Sequence, residues 1–342
     1  MELSDAVQEV RTRTNHHQTW IWALGIGLIA LLWISLFFGR YPTLGFIRWE
    51  KLASDDLAQR LVLNLRLPRL LTAIMLGMTL SAAGMVFQLL FNNPLVEPGF
   101  LGVSQGAAFG AAFCIVFLSG SAILIQSFSA IFAFLGLGAS VFLAHRLHYG
   151  GWILRLVLAG IAVSAFFSAG LGLLKYMADP LRQLPEITFW LLGSLASITW
   201  VKFISIIPFT LIGLLVLFLF RWRINILSLT DDVAFSLGAN PGRERTLLMV
   251  AAVLPTAAMI SVAGMVGWVG LITPHIARRL FGSDARFSLP AAMLIGAFFT
   301  VICDNISRTV LAGEIPLGIL TSLLGAVTFL ILMMARPIKV KS

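Results

Sequence analysis

Charge is scarce in this sequence: 11% of its 342 residues are Asp, Glu, Lys or Arg, against about 25% in an average soluble domain. Water is thereby excluded as its main solvent. Cysteine is nearly absent, and Cys114 and Cys303 both lie inside apolar runs, which excludes a disulfide framework and a cysteine metal cluster. None of the lysines (51, 175, 202, 339 and 341) follows a glycine, so the Gly-Lys-[Ser/Thr] end of a phosphate-binding loop is missing and the chain cannot hydrolyse ATP by that route. The histidines (16, 17, 145, 148 and 275) sit in or beside loops without zinc-ligand spacing. No catalytic residue and no metal ligand emerges.

What fills the chain is apolar surface, 59% of residues, in blocks of roughly 20, the length that crosses a hydrocarbon core of about 30 Å at 1.5 Å per residue. Hydropathy places spans near 19–38, 69–91, 101–118, 122–145, 152–176, 200–221, 245–265, 289–311 and 316–335. A short broken helix through Gly267–Leu271 and Thr273–Leu280 returns the chain once more and makes ten. The first run is too long for a signal peptide and lacks a small-residue cleavage site, so it reads as a retained span. The net charge of +9 is scattered between apolar blocks in no dense stripe, which argues for loops anchoring helices in a lipid bilayer and against nucleic acid.

One motif recurs. Ser81-Ala82-Ala83-Gly84-Met85-Val86 returns 180 residues later as Ser261-Val262-Ala263-Gly264-Met265-Val266, with Pro94 matching Pro274 and Gly102 matching Gly282 in the same register. Duplication with five spans per half gives the second half the opposite orientation. The expected fold is therefore an all-α integral membrane protein of about ten transmembrane helices in two inverted five-helix repeats. These halves run about 19–199 and 200–336 of a single membrane domain, 1–342.

With the N-terminus inside, 14 of the 24 basic residues fall on the inner side. The bias is weak because the outer segment after span 1 carries Arg40, Arg48, Lys51, Arg60, Arg66 and Arg69, a cluster that calls for an acidic partner. Asp304 is the one acid deep in a span, and Arg308 one turn later on the same face can neutralise it, a pair that leaves little for ion coupling. In the inner loop of about 222–244, Thr230 or Asp231 caps a short helix that Gly238 and Asn240-Pro241 stop. Asp231 and Asp232 on its polar face fit a docking peg for another protein better than a helix lying on anionic lipid. Gly102, Gly106 and Gly110 mark a close helix approach. Asn92–Gly99 breaks the chain at the inner side, as a pore constriction or a plain turn.

These residues resemble a known family, the permeases of type II ABC importers for iron–siderophore, haem and cobalamin uptake, the FecCD-like family. The matching stretches are Leu65–Arg69, Phe91–Gly102, Phe189–Leu195, Ser236–Gly238, Gly270–Arg278 and Glu314–Thr321. The resemblance implies a multi-pass subunit of a bacterial or archaeal cytoplasmic membrane. It implies a homodimer around a central path, with two cytoplasmic ATP-binding subunits and one external solute-binding protein. It assigns binding-protein docking to Arg66, Arg69 and Arg308, and the inner gate to Asn93 and Leu95. ATPase coupling falls to Asp231, Asp232, Ser236, Leu237, Gly238, Ala239, Asn240 and Pro241. No cofactor is expected on this chain, because ATP and Mg belong to the partner ATPase. The cargo implied is a metal chelate moved by ATP-driven alternating access, or else molybdate or tungstate; an ion-coupled secondary transporter would instead need unpaired acids at the midplane.

Overall fold

The computed structural model describes residues 2–334 apart from 41–43, 48, 119 and 312. Helix α1 (Glu2–Phe37) leads into a two-stranded antiparallel hairpin, β1 (Phe38–Arg40) and β2 (Leu44–Phe46), with Phe38 opposite Phe46. Two short helices follow, α2 (Trp49–Ser54) and α3 (Asp56–Arg60), the second capped by the Asp55 carboxylate. A π-helical turn, Leu61–Arg66, joins α3 to α4 (Leu67–Leu90). Pro68 has no N–H to give the preceding turn, and the Leu67 N–H closes the wider ring onto the Val62 carbonyl. The remaining helices are α5 (Val103–Phe117), α6 (Ala122–Arg146), α7 (Trp152–Met177), α8 (Gln183–Leu192), α9 (Trp200–Leu219), α10 (Arg221–Leu227), α11 (Asp231–Ser236), α12 (Pro241–Ala263), α13 (Val269–Phe281), α14 (Ala285–Val310) and α15 (Leu317–Met334). Among the described residues, eight helices are long and apolar enough to cross a membrane.

Burial sorts them. The most apolar stretches of α4 and α12 are 78% buried and that of α1 only 11%, so the first two form the core and α1 faces its surroundings. Small residues let the central helices touch: Gly77 of α4 lies against the Gly296 backbone of α14, and Gly84 against Gly270 of α13, where a Cβ would collide. The expected close approach at Gly102, Gly106 and Gly110 is made by α6, at Gly136, Phe132 and Phe128.

Helix α5 has 15 residues and is about 22 Å long, short of the roughly 30 Å hydrocarbon core. Gly102, left-handed at φ +77°, packs on Val163, which is 163 − 152 = 11 residues into α7 and so about 16 Å along it. The 91–102 loop therefore climbs to the middle of the bundle before α5 begins. Helix α13 repeats the pattern, with 13 residues and left-handed Trp268 (φ +71°) before it. The two copies of the recurring motif, however, occupy different places: Ser81–Val86 lies inside α4, and Ser261–Val266 runs across the end of α12. Likewise Pro94 is in a loop and Pro274 in a helix, while Gly102 starts α5 and Gly282 ends α13.

Candidate functional site

At one end of the bundle, where α1 ends and α4 begins, Arg40, Arg66, Arg69, Arg308 and Glu314 line a cavity of about 200 Å³. Arg69 is buried and fully engaged: its Nε donates to Asp304 Oδ1 at 2.7 Å, and its Nη1 to both Glu314 oxygens at 3.0 and 2.9 Å. Arg308 donates to the Ser35 carbonyl and Asn305 Oδ1, with its Nε 3.6 Å from Asp304 Oδ2. Arg66 donates to the Leu36 carbonyl at 3.2 Å, and Arg40 to the Thr309 and Val310 carbonyls at 2.9 Å, a cation on the open C-terminus of α14. The three arginines singled out by sequence thus come together, each 7–8% exposed. Four arginines against Asp304 and Glu314 leave a formal +4 − 2 = +2. Asp304 pairs with Arg308 as its spacing indicates, yet its stronger partner is Arg69, from a helix 235 positions earlier.

At the other end, α10 and α11 form a projecting peg. Asn240 caps α12 by accepting from Arg243 N, with Pro241 at the first position and Gly238 left-handed at φ +79° closing α11. Ala234 and Ala239 turn inward, whereas Phe235 is 72% and Leu237 57% exposed. An apolar pair so exposed beside Asp231 and Asp232 is a surface made for contact. Sequence reasoning missed its brace: buried Arg245 donates to the Leu227 and Leu229 carbonyls and, at 2.6 Å, to Asp231 Oδ1. It missed a second brace as well, Asn225, which bonds Asp284 Oδ1 at 2.7 Å and accepts from Ala285 N at 2.8 Å. Burial pushes the Asp284 carboxyl up, but hydrogen bonds from Arg286 and Asn225 outweigh that and hold it below the usual carboxylate range.

Between the two ends runs the 91–102 loop. Asn93 Oδ1 accepts from Leu95 N at 2.9 Å and shapes the turn, so its side chain is occupied locally. Leu95 is 51% exposed and lines a largely apolar cavity of about 760 Å³ with residues of α8, α13 and α15. Asn92, at φ +47°, donates from Nδ2 to the Ser228 carbonyl at 3.0 Å, which ties this loop to the peg. No local pattern marked that bond.

The arrangement offers no nucleophile–base pair, and among the described residues no group of three or more His, Cys, Asp or Glu could hold a metal ion. It combines a cationic rim, an apolar cavity and a projecting peg. Residues 27–335 match the FecCD transport family. The chain is 39% identical to the "Probable iron chelatin transport system permease protein" of Helicobacter pylori, over 83% of this chain and 85% of that one. It is 38% identical to the molybdate import system permease protein MolB of Haemophilus influenzae, over 90% and 93%. A solved structure described as "An inward-facing conformation of a putative metal-chelate type ABC transporter" superposes with a TM-score of 0.86 at 35% identity, over 92% of this chain and 99% of the other. This chain belongs to the FecCD transport family.

Proposed function

We propose that this chain is the permease subunit of a binding-protein-dependent ABC importer that brings a metal chelate into the cytoplasm. The observation that carries the reading is the placement, at opposite ends of one helical body, of a net-positive arginine rim and a peg exposing Phe235 and Leu237. The rim suits an acidic surface on a solute-binding protein, with Arg66, Arg69 and Arg308 as docking residues that act from just beneath the surface, through the positive field they set there. The peg, from Asp231 to Pro241, suits a cleft on an ATP-binding subunit. In this reading two copies of the chain face each other across the path, and the ATPases close on ATP and move the pegs. The 91–102 loop, with Leu95 on the cavity wall, then opens or closes the inner gate. Ten crossings follow when α5 and α13 count as spans completed by non-helical backbone, and the long–break–short order of α4–α5 and α12–α13 supports an inverted repeat better than the 180-residue register does.

A ferric siderophore or haem is the cargo favoured, supported by the iron-chelatin relative, by 34% identity to the hemin transport system permease HmuU of Yersinia pestis and by the metal-chelate type of the solved structure. The MolB likeness supports a second reading, a molybdate importer. Proteoliposomes holding this chain with its ATPase and binding protein separate the two. ATP-dependent accumulation of a ferric chelate is expected, and accumulation of molybdate alone would overturn the chelate assignment.

A further inference from the structure

Two cavities adjoin at the level where α5 begins. The larger, about 760 Å³, lies among the 91–102 loop, α8, α13 and α15, and the smaller, about 280 Å³, among the same loop, α5, α7 and α12. Glu97, Phe100, Met265 and Gly267 line both. Of all the described residues on these walls, Glu97 alone has an ionisable side chain. Its carboxylate has no hydrogen bond or ion pair to any described residue, whereas Asp304, Glu314, Asp231, Asp284 and Glu244 each face an arginine.

An unpaired carboxylate at membrane depth is costly, and such groups persist where water or a passing ligand meets them. The plain structural role would be to offset the dipole at the start of α5, but no bond joins the carboxylate to the free N–H groups there. The carboxylate instead edges an opening kept clear by a glycine. A Cβ at Gly99 would stand 3.5 Å from Glu97 Oε1 and 3.1 Å from the Ser104 hydroxyl, so these two polar groups border one small space. Around them Phe100, Met265 and Trp268 give apolar wall, while the smaller cavity also presents Gln105, Ser164 and Thr256, so a charge there is partly screened.

We propose that Glu97 is the charge-selecting residue of the path. Its carboxylate receives cationic or hydrogen-bond-donating faces of the cargo and disfavours free anions, in the way single charged groups bias narrow pores. The inference rests on the permease reading and names a determinant within it.

Thiol labelling tests it without any knowledge of the cargo. Ser104→Cys is placed in a chain whose two native cysteines are replaced, and the assembled transporter is exposed to methanethiosulfonates bearing either a trimethylammonium or a sulfonate group. The ratio of the cationic to the anionic labelling rate cancels changes in the thiol itself. Adding E97Q should lower that ratio by at least about tenfold, the effect of one unit charge at several ångström in a partly wet site. An unchanged ratio would overturn the proposal, and so would failure of both reagents to react, since the wall would then not meet water. Ser322→Cys, on the larger cavity, supplies the same comparison should Ser104→Cys fail to fold. ATP-driven uptake in wild-type vesicles tests the permease reading separately, so loss of one result is not mistaken for loss of the other.

Discussion

Arg69 shows how far a single residue can depart from its local spacing. Its place directly before the apolar run that opens at Leu70 suggests an outward cation, yet its guanidinium is buried between Asp304 and Glu314. Breaking a buried pair strands the remaining charge, at about 3–5 kcal/mol. Arg69→Gln should therefore lower the melting temperature of the detergent-solubilised protein clearly, and a melt equal to wild type would contradict the ion-pair network. Arg66 makes a different test, because among the described residues it donates to the Leu36 carbonyl alone and pairs with no carboxylate. Arg66→Gln removes the charge and one hydrogen bond, worth about 1 kcal/mol net. It should leave the melt close to wild type while raising the dissociation constant of the binding protein by about tenfold; unchanged docking in a titration would remove Arg66 from the rim's function. The sequence displayed the Asp304–Arg308 pair because four residues separate them on one helix. It hid Arg69–Asp304 because nothing local links residues 235 positions apart.

The 91–102 loop and the peg extend the same contrast to whole elements. Helix α11 ends at the glycine read as its stop, since breakers act within a few residues, whereas Asn240-Pro241, read only as part of that stop, also caps and opens α12 four residues ahead of the 245–265 span. The braces of the peg, Arg245 and Asn225, and its tie to the loop through Asn92 are tertiary and carried no local signal. Asn92 is well suited to a clean test. Its φ of +47° is tolerated by glycine, so Asn92→Gly keeps the turn and deletes the amide. Asn92→Asp keeps the shape, but a carboxylate cannot donate to the Ser228 carbonyl. Both variants should retain ATP hydrolysis stimulated by the binding protein and import several-fold less cargo per ATP. Wild-type stoichiometry in both would show that the bond transmits nothing. Phe235→Ala should instead weaken binding of the ATP-binding subunit with little change in melting, because its side chain is 72% exposed.

For the molecule as a whole, hydropathy located the long helices to within a few residues because bilayer thickness dictates their length, except at the start of α1, where the helix runs on through a polar segment to Glu2. It could not reveal that α5 starts near mid-depth, since a loop of Asn, Pro and Gly reads the same at the surface and inside. That depth has a consequence for assembly. The larger cavity is walled by α8, α13 and α15, and Ile319 on its wall belongs with Leu323, Val327 and Leu330 to an exposed apolar stripe of α15. In the proposed importer a path along that side would lie open to lipid, and a second copy of the chain closes it. Leu323→Cys, in a chain without its native cysteines, should therefore form a disulfide-linked dimer on mild oxidation in membranes. Ile212→Cys on α9, similarly exposed but away from the cavity, should not. Equal cross-linking at both positions would mean chance collision in the bilayer, and cross-linking at Ile212→Cys alone would move the dimer axis to the opposite side of the bundle.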